Sequence, residues 1–267
     1  MLVFKIASAL ALAAVVFTPL PASAQNAEPI IGEVAINAIS VHPYADLFIA
    51  EANTIWSSSG WRVISNTSDV LNEGKPVSGA FAPANVELTR AKAVVNAPAQ
   101  KLFDFLITPE GFKIIDPLSN PEDFSKPPLA SYPTILWRSI GNSNKKSLEI
   151  ARTEAQIPGI RPREFVVLNA IDQLTRIFVS KSVQNTADPG CSVYGPTSCR
   201  NATAVPVRAL NTFGLDVQPL AGDNSKSLVR LINYADLTGP EITAELQNQI
   251  NSAFLPDMVA RMRAAFP

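Results

Sequence analysis

Six short strand-like runs, at 134–140, 147–154, 163–171, 176–183, 205–215 and 227–234, follow one another through turn-rich segments. Gly141-Asn142-Ser143-Asn144 and Gly222-Asp223-Asn224-Ser225 are two of those turns. Parallel neighbours need crossovers of a dozen or more residues, so runs joined this tightly predict an antiparallel meander. One long amphipathic segment then closes the sequence. Ile242, Leu246, Ile250, Phe254, Met258 and Met262 fall four apart, joined by Leu255 and Val259, which predicts a helix over 242–266 kinked at Pro256. A helix laid across an antiparallel sheet is an α+β grip, and its sheet must curve to bury both surfaces.

Upstream, Leu47, Phe48, Ala50, Ala52 and Ile55 recur at helical spacing, and Pro43 suits a first turn, so 43–56 reads as an amphipathic helix. Ser57-Ser58-Ser59-Gly60 ends it. Three strand-like runs follow, at 61–64, 77–81 and 86–95. A second helix is expected over 98–107, with Leu102, Phe103, Phe105 and Leu106 facing inward. The Pro-rich stretch 117–133 carries no periodicity.

The first 24 residues hold Lys5, an apolar run from Ile6 to Phe17, a Pro19 to Pro21 break and Ala22-Ser23-Ala24, the pattern of a secretory signal with an A-x-A cleavage site. The apolar run is shorter than the roughly 20 residues that span a bilayer. Residues 25–40 read as a linker and 41–267 as one domain. Formal charge is −1 with no block of like charges, which argues against nucleic acid as a partner. Cys191 and Cys199 lie close together in a loop-like stretch of an exported chain, so a disulfide is expected. In the chain-entropy model it contributes about 2–3 kcal/mol. A metal site lacks ligands, because the sole histidine, His42, is remote. Asn66-Thr67-Ser68 and Asn201-Ala202-Thr203 have the form of glycosylation sequons.

Arg161-Pro162-Arg163-Glu164-Phe165-Val166-Val167-Leu168 resembles the Pro-Arg-Asp-Phe-Val strand of the steroidogenic acute regulatory protein-related lipid transfer (START) family. Ser180-Lys181-Ser182-Val183, Val207-Arg208-Ala209 with Gly214 and Pro219, and Tyr234-Ala235-Asp236-Leu237-Thr238-Gly239 resemble later motifs in the family's order. The resemblance runs from the helix at Pro43 to the C-terminus. It implies a helix-grip fold: a curved antiparallel sheet of about nine strands around a long C-terminal helix, enclosing a cavity for one lipid, with the helix and adjacent loops as a lid. A sterol-sized ligand of under thirty heavy atoms, at about −0.3 kcal/mol per atom, would bind at micromolar affinity or better.

Cholesterol-binding members place a buried acid and a buried arginine on neighbouring strands. Glu149 falls within one residue of the acid's position, and the arginine's position is occupied by Asn169, a departure from the family. A buried carboxylate without a cationic partner tends to take up a proton, whereas an amide still hydrogen-bonds a hydroxyl. If Asn169 points inward, alternation brings Phe165, Val167 and Ile171 to the same face; plain core packing gives the same pattern, and Glu149 can equally face solvent. Ile250, Phe254 and Met258 on the last helix, and Trp137 on the run at 134–140, are counted with them as lining residues or as ordinary core. Arg163 and Arg208 match motif positions and read as structural ion pairs, for instance with Asp236 or Glu164, ahead of ligand contacts, and Arg208 is counted among the candidate ligand-binding residues.

These residues predict a non-enzymatic lipid carrier, monomeric, without cofactor, and in transient contact with membranes. Alternatives are a helix-grip enzyme of the polyketide cyclase/aromatase type, with Glu149 as its one candidate acid or base, and a ligand-responsive sensor. The sequence has no plausible Ser-His-Asp set and no phosphate loop. The signal and the expected disulfide fit a periplasmic address, with secretion second.

Overall fold

The computed structural model describes residues 34–35, 41–77, 86–115, 134–140, 146–155, 159–184, 207–237 and 241–267. Strand β1 (Val34–Ala35) and helix α1 (Val41–Ser57) precede β2 (Arg62–Thr67), β3 (Val70–Pro76) and β4 (Glu87–Val95). Helices α2 (Ala99–Leu106) and α3 (Pro109–Ile115) follow. The meander comes next: β5 (Thr134–Ile140), β6 (Lys146–Ala155), β7 (Arg163–Asp172), β8 (Ile177–Gln184), β9 (Val207–Arg208), β10 (Leu210–Leu220) and β11 (Asp223–Asp236). Helix α4 (Ala244–Ala265) is last. The signal segment, both cysteines, the sequon at Asn201 and the Pro-rich stretch lie outside the described residues.

One sheet holds all the strands in the order β2-β3-β4-β11-β10-β8-β7-β6-β5, every neighbour antiparallel. The strand count differs from the nine expected, because the two-residue strands β1 and β9 join in parallel to β8 and β7. β1 arises inside the segment expected to be a linker. The β4–β11 pairing brings the N-terminal strands beside the end of the meander, with registers running from Ser227 opposite Val95 to Asn233 opposite Thr89.

Alternation divides the sheet into two faces, each with its own core. On one, Phe48, Ile55 and Trp56 of α1 pack on Val166, Leu168, Val179, Val183, Ile232 and Tyr234. On the other, Leu255, Met258, Val259 and Met262 of α4 and Leu102, Phe103 and Leu106 of α2 pack on Val95, Phe178, Leu215, Val229 and Leu231. Arg90 fastens α1 by donating to the carbonyls of Ile55, Trp56 and Ser58 at its C-terminus, where the helix dipole favours a cation. Buried Lys181 ion-pairs Glu51 of the same helix.

Three local readings need correction. The second strand lies at 70–76, upstream of the expected run, whose residues 78–81 fall outside the described residues; Ser68 and Asp69, at φ 51° and 56°, make the tight turn before it, of the kind that requires positive φ at both central residues. The strand was hidden because its inward positions include the polar Asn72, and Glu73 pairs with Arg90. Helix α3 was not anticipated. Thr108 caps it, accepting from Gly111 N at 3.1 Å, and any Cβ at Gly111 would fall 2.1 Å from the Phe105 carbonyl oxygen. The strand expected over 205–215 is interrupted after Arg208, and β10 then runs on to Leu220, tolerating Pro219 at a register shift.

The buried stripe of α4 is Gln247, Asn251, Leu255, Met258, Val259 and Met262, one step round from the stripe the apolar spacing suggested. Ile250 and Phe254 flank it, half-buried. The helix runs through Pro256, which lacks the N–H that Ser252 O would accept. Asn72 on β3 supplies the replacement donor, its Nδ2 lying 2.8 Å from that carbonyl. Replacing Asn72 by leucine should therefore cost about 1–3 kcal/mol in urea or thermal unfolding. In a Pro256→Ala background, where residue 256 regains its N–H, the same exchange should cost measurably less, and equal costs in both backgrounds would refute the pairing.

Candidate functional site

Asn169 sits midway along β7, between Leu168 and Ala170 of the α1-side core. Alternation therefore puts it on the α4 side of the sheet, with Phe165, Val167 and Ile171. It is 8% exposed, and its Oδ1 accepts no hydrogen bond among the described residues. Buried side-chain polar atoms are nearly always paired, so an unpaired amide oxygen here is an exception that needs a reason. Val167 is buried yet belongs to neither apolar cluster, whereas Ile171 packs at the edge of the α4-side core.

Register carries a polar row through Asn169. Ser180 on β8 lies directly opposite it on one flank and Glu149 on β6 on the other. Glu149 is in turn opposite Arg138 on β5. Beyond Ser180 the row continues through Phe213 and Asn233 to Thr89. Ser180 is buried, and its Oγ accepts from Asn211 Nδ2 at 3.4 Å. Ser182 accepts from the backbone N–H of Asn211 at 2.8 Å.

The row ends beneath α4 in a connected network. Gln247 donates to Ala235 O and accepts from Leu237 N at 2.9 Å. Asn251 Oδ1 accepts from Ala235 N and Asn233 Nδ2, both at 3.3 Å, and Thr89 Oγ1 donates to the carbonyls of Asn233 and Asn251. Gln247 and Asn251 are almost fully buried.

The expected site residues separate by register. Glu149, Asn169, Val167, Phe165 and Ile171 belong to one stretch of β6 and β7, and Met258 is buried in the α4-side core, with Phe254 at its edge. Trp137 is registered with Ile150 and then Leu168, the row of the α1-side core, so register does not bring it to Asn169. Arg208 stands opposite Glu164, five residues or about 17 Å along β7 from Asn169. Ser180 and Arg138 were overlooked; counting outward from the Gly141–Asn144 turn would have placed Arg138 near Glu149.

A cleft of about 250 Å³, part of it open to solvent, lies between α1 and the sheet, against Phe48, Glu51, Ala52, Lys181, Thr212 and Ile232. Much of that space is open solvent and almost none of it is enclosed, whereas drug-sized ligands occupy pockets of roughly 300–1,000 Å³, so a lipid does not fit there. No group of three or more His, Cys, Asp or Glu among the described residues could hold a metal ion. No helix among them is long and apolar enough to cross a membrane.

The sequence matches no protein-family model and no curated protein. Among solved structures, the chain is similar to human StAR-related lipid transfer protein 5, with a TM-score of 0.59 at 15% identity, covering 86% of this chain and 98% of that one. It is also similar to the lipid transfer and protein localization domain of human StarD13, with a TM-score of 0.50 at 17% identity, covering 88% and 99%. The chain has the START fold. Similarity to the Zhui aromatase/cyclase from Streptomyces sp. R1128, 13% identical over 67% of this chain and 87% of that one, reaches a TM-score of only 0.34, too low to bear on chemistry.

In this START fold the motif arginine is structural. Arg163 is fully buried; it donates to the carbonyls of Leu237 and Arg161, and its Nη2 lies 3.0 Å from Glu241. The partners expected from the sequence were Asp236 and Glu164; the ion pair that Arg163 makes here is with Glu241, which the motif did not suggest. Arg161 grips the same carboxylate through two nitrogens at 2.9 and 3.0 Å. The start of β7 is thereby tied to the connection between β11 and α4. Hydrogen bonding from Arg161, with Arg163 beside it, lowers the Glu241 carboxyl from 4.5 to about 2. A depressed carboxyl stabilises the fold fully above its unfolded value, and that contribution fades as pH falls through the folded one. Glu241→Gln should lower Tm at neutral pH, and the gap to the native protein should close between about pH 4.5 and 2 in thermal melts. A gap independent of pH would exclude the pairing as its cause.

Proposed function

We propose that this protein binds one apolar lipid between its sheet and α4 and carries it between membranes, without covalent chemistry. The observation that carries the reading is the START fold, shared over nearly the full length of a human lipid transfer protein. Asn169 on the α4 side of the sheet supports it, because its buried Oδ1 accepts no hydrogen bond among the described residues, which suits a site that a guest completes.

In this reading Val167 and Asn169, with Phe165, Ile171, Phe254 and Ile250, line the ligand space, and Met258 adapts its wall to an irregular guest. Glu149 meets the polar end of the ligand. Arg138 stands opposite Glu149 in the register of β5 and β6. The protein acts as a monomer, exported after cleavage behind Ala24 and closed by a Cys191–Cys199 disulfide, in a periplasm where shuttling lipid between two membranes gives it work.

Extraction of protein purified from its native host, followed by lipid mass spectrometry, should recover about one lipid per chain, and the protein should accelerate vesicle-to-vesicle transfer of that lipid. Empty protein and no transfer would refute the carrier, whereas ligand-dependent capture of a partner protein without transfer would make it a sensor. Glu149→Leu and Asn169→Leu should each weaken binding about tenfold or more while leaving the melting transition cooperative. Unchanged affinity in both would remove them from the site.

A further inference from the structure

From the aromatic cluster of Phe112, Phe178 and Phe213 we infer that the guest is short: these rings plug the space under α4 at its α2 and α3 end, and Phe178 limits the length of apolar chain that the protein accepts. The inference rests on the carrier reading and adds a length limit to it. Same-face rows across β7, β8 and β10 locate the boundary. Val167 stands opposite Ser182, and neither joins an apolar cluster of the described residues. Two residues along β7 the row is Asn169, Ser180 and Phe213, and two further it is Ile171, Phe178 and Leu215. Phe178, Phe213 and Leu215 are buried in the α4-side core, and Ile171 packs on its edge. From Val167 to the fully packed row is four residues, about 13 Å along the strand.

Phe178 is the centre of the plug. Its ring lies 6.0 Å from that of Phe112 on α3 and 5.7 Å from that of Phe213 on β10, tilted by 57° to each. Tilted rings at such distances attract one another beyond the area they bury. Leu255 and Met258 of α4, both fully buried, belong to the same cluster, so helix and sheet meet through these side chains. An apolar chain advancing along β7 from Val167 gains burial with each methylene until it reaches the rings. Beyond that point it must push into a core that is already filled, and overpacking a filled core is destabilising. Affinity therefore rises with chain length up to a limit and falls past it.

The test reads preference for chain length. The full chain is equilibrated with phosphatidylcholine vesicles carrying an equimolar mixture of the methyl esters of decanoic, tetradecanoic, octadecanoic and docosanoic acids, then re-isolated, and the retained esters are quantified by mass spectrometry. The native protein should prefer an ester shorter than docosanoate and retain docosanoate about tenfold less, the effect of two methylenes left unenclosed. Phe178→Ala should raise the ratio of docosanoate to the preferred ester about tenfold. Phe178→Leu should move that ratio the same way by less, with a smaller loss of stability. Ile55→Val, in the core on the other face of the sheet, controls for a loosened fold and should leave the ratio within about twofold. Best retention of the longest ester by the native protein would overturn the inference, as would a ratio that neither Phe178 exchange moves, or one that Ile55→Val moves as far. Retention of no ester would overturn it too, and lipid extraction decides separately whether the carrier reading stands.

Discussion

The structure depends on the way α4 is sewn to the sheet. β11 outruns β4, whose pairing stops at Asn233, and two residues further on Ala235 turns its N–H and carbonyl to helix side chains instead of a neighbouring strand. Gln247 and Asn251 take over the role of that strand and satisfy backbone groups that would otherwise be buried and unpaired. At the other end of the helix, Arg261 donates to Ile114 O, and Arg263 to Val94 O, each at 3.0 Å. Between these ends lies the apolar contact of Leu255, Met258, Val259 and Met262. Lifting α4 as a unit would strip all of these at once, and each buried group left unpaired costs about 1–3 kcal/mol. The helix is therefore fixed to the sheet as one unit.

A helix fixed in this way explains the division of labour between the two faces of the sheet. The α1 side carries an apolar core and a shallow cleft, with one cation, Arg90, at the end of the helix and another, Lys181, beneath it. The α4 side is packed at the α2 and α3 end, where Phe178 meets Phe112 and Phe213 at ring-centre distances of 6.0 and 5.7 Å. Toward Val167 and Ser182 the same face has buried residues that join neither apolar cluster. Polarity concentrates at the boundary between the two regions, in the row through Asn169.

Much of this was legible in the sequence, for a physical reason. The strands from 134 to 183 were found almost to the residue, because two-fold alternation and Gly/Asn-rich turns constrain a meander strongly. The elements that escaped are those in which polar side chains do the work of a core. β3 was hidden by Asn72 and Glu73, whose partners lie on α4 and β4 and cannot be read from local pattern. The face of α4 was misjudged because its most buried positions include two amides, which a count of apolar spacing passes over. Arg138 was within reach through hairpin counting, whereas Ser180 stands between residues of the opposite face and gives no signal until the β7–β8 register is known.

Magnitudes set what such a site can and cannot do. Enclosing an apolar body of a few dozen atoms yields of order −8 kcal/mol at the efficiency typical of ligands that size. A hydrogen-bonded pair adds only about 0.5–1.5 kcal/mol per bond. On the proposed carrier reading, enclosure supplies the affinity, and the polar row sets only which end of the guest enters first.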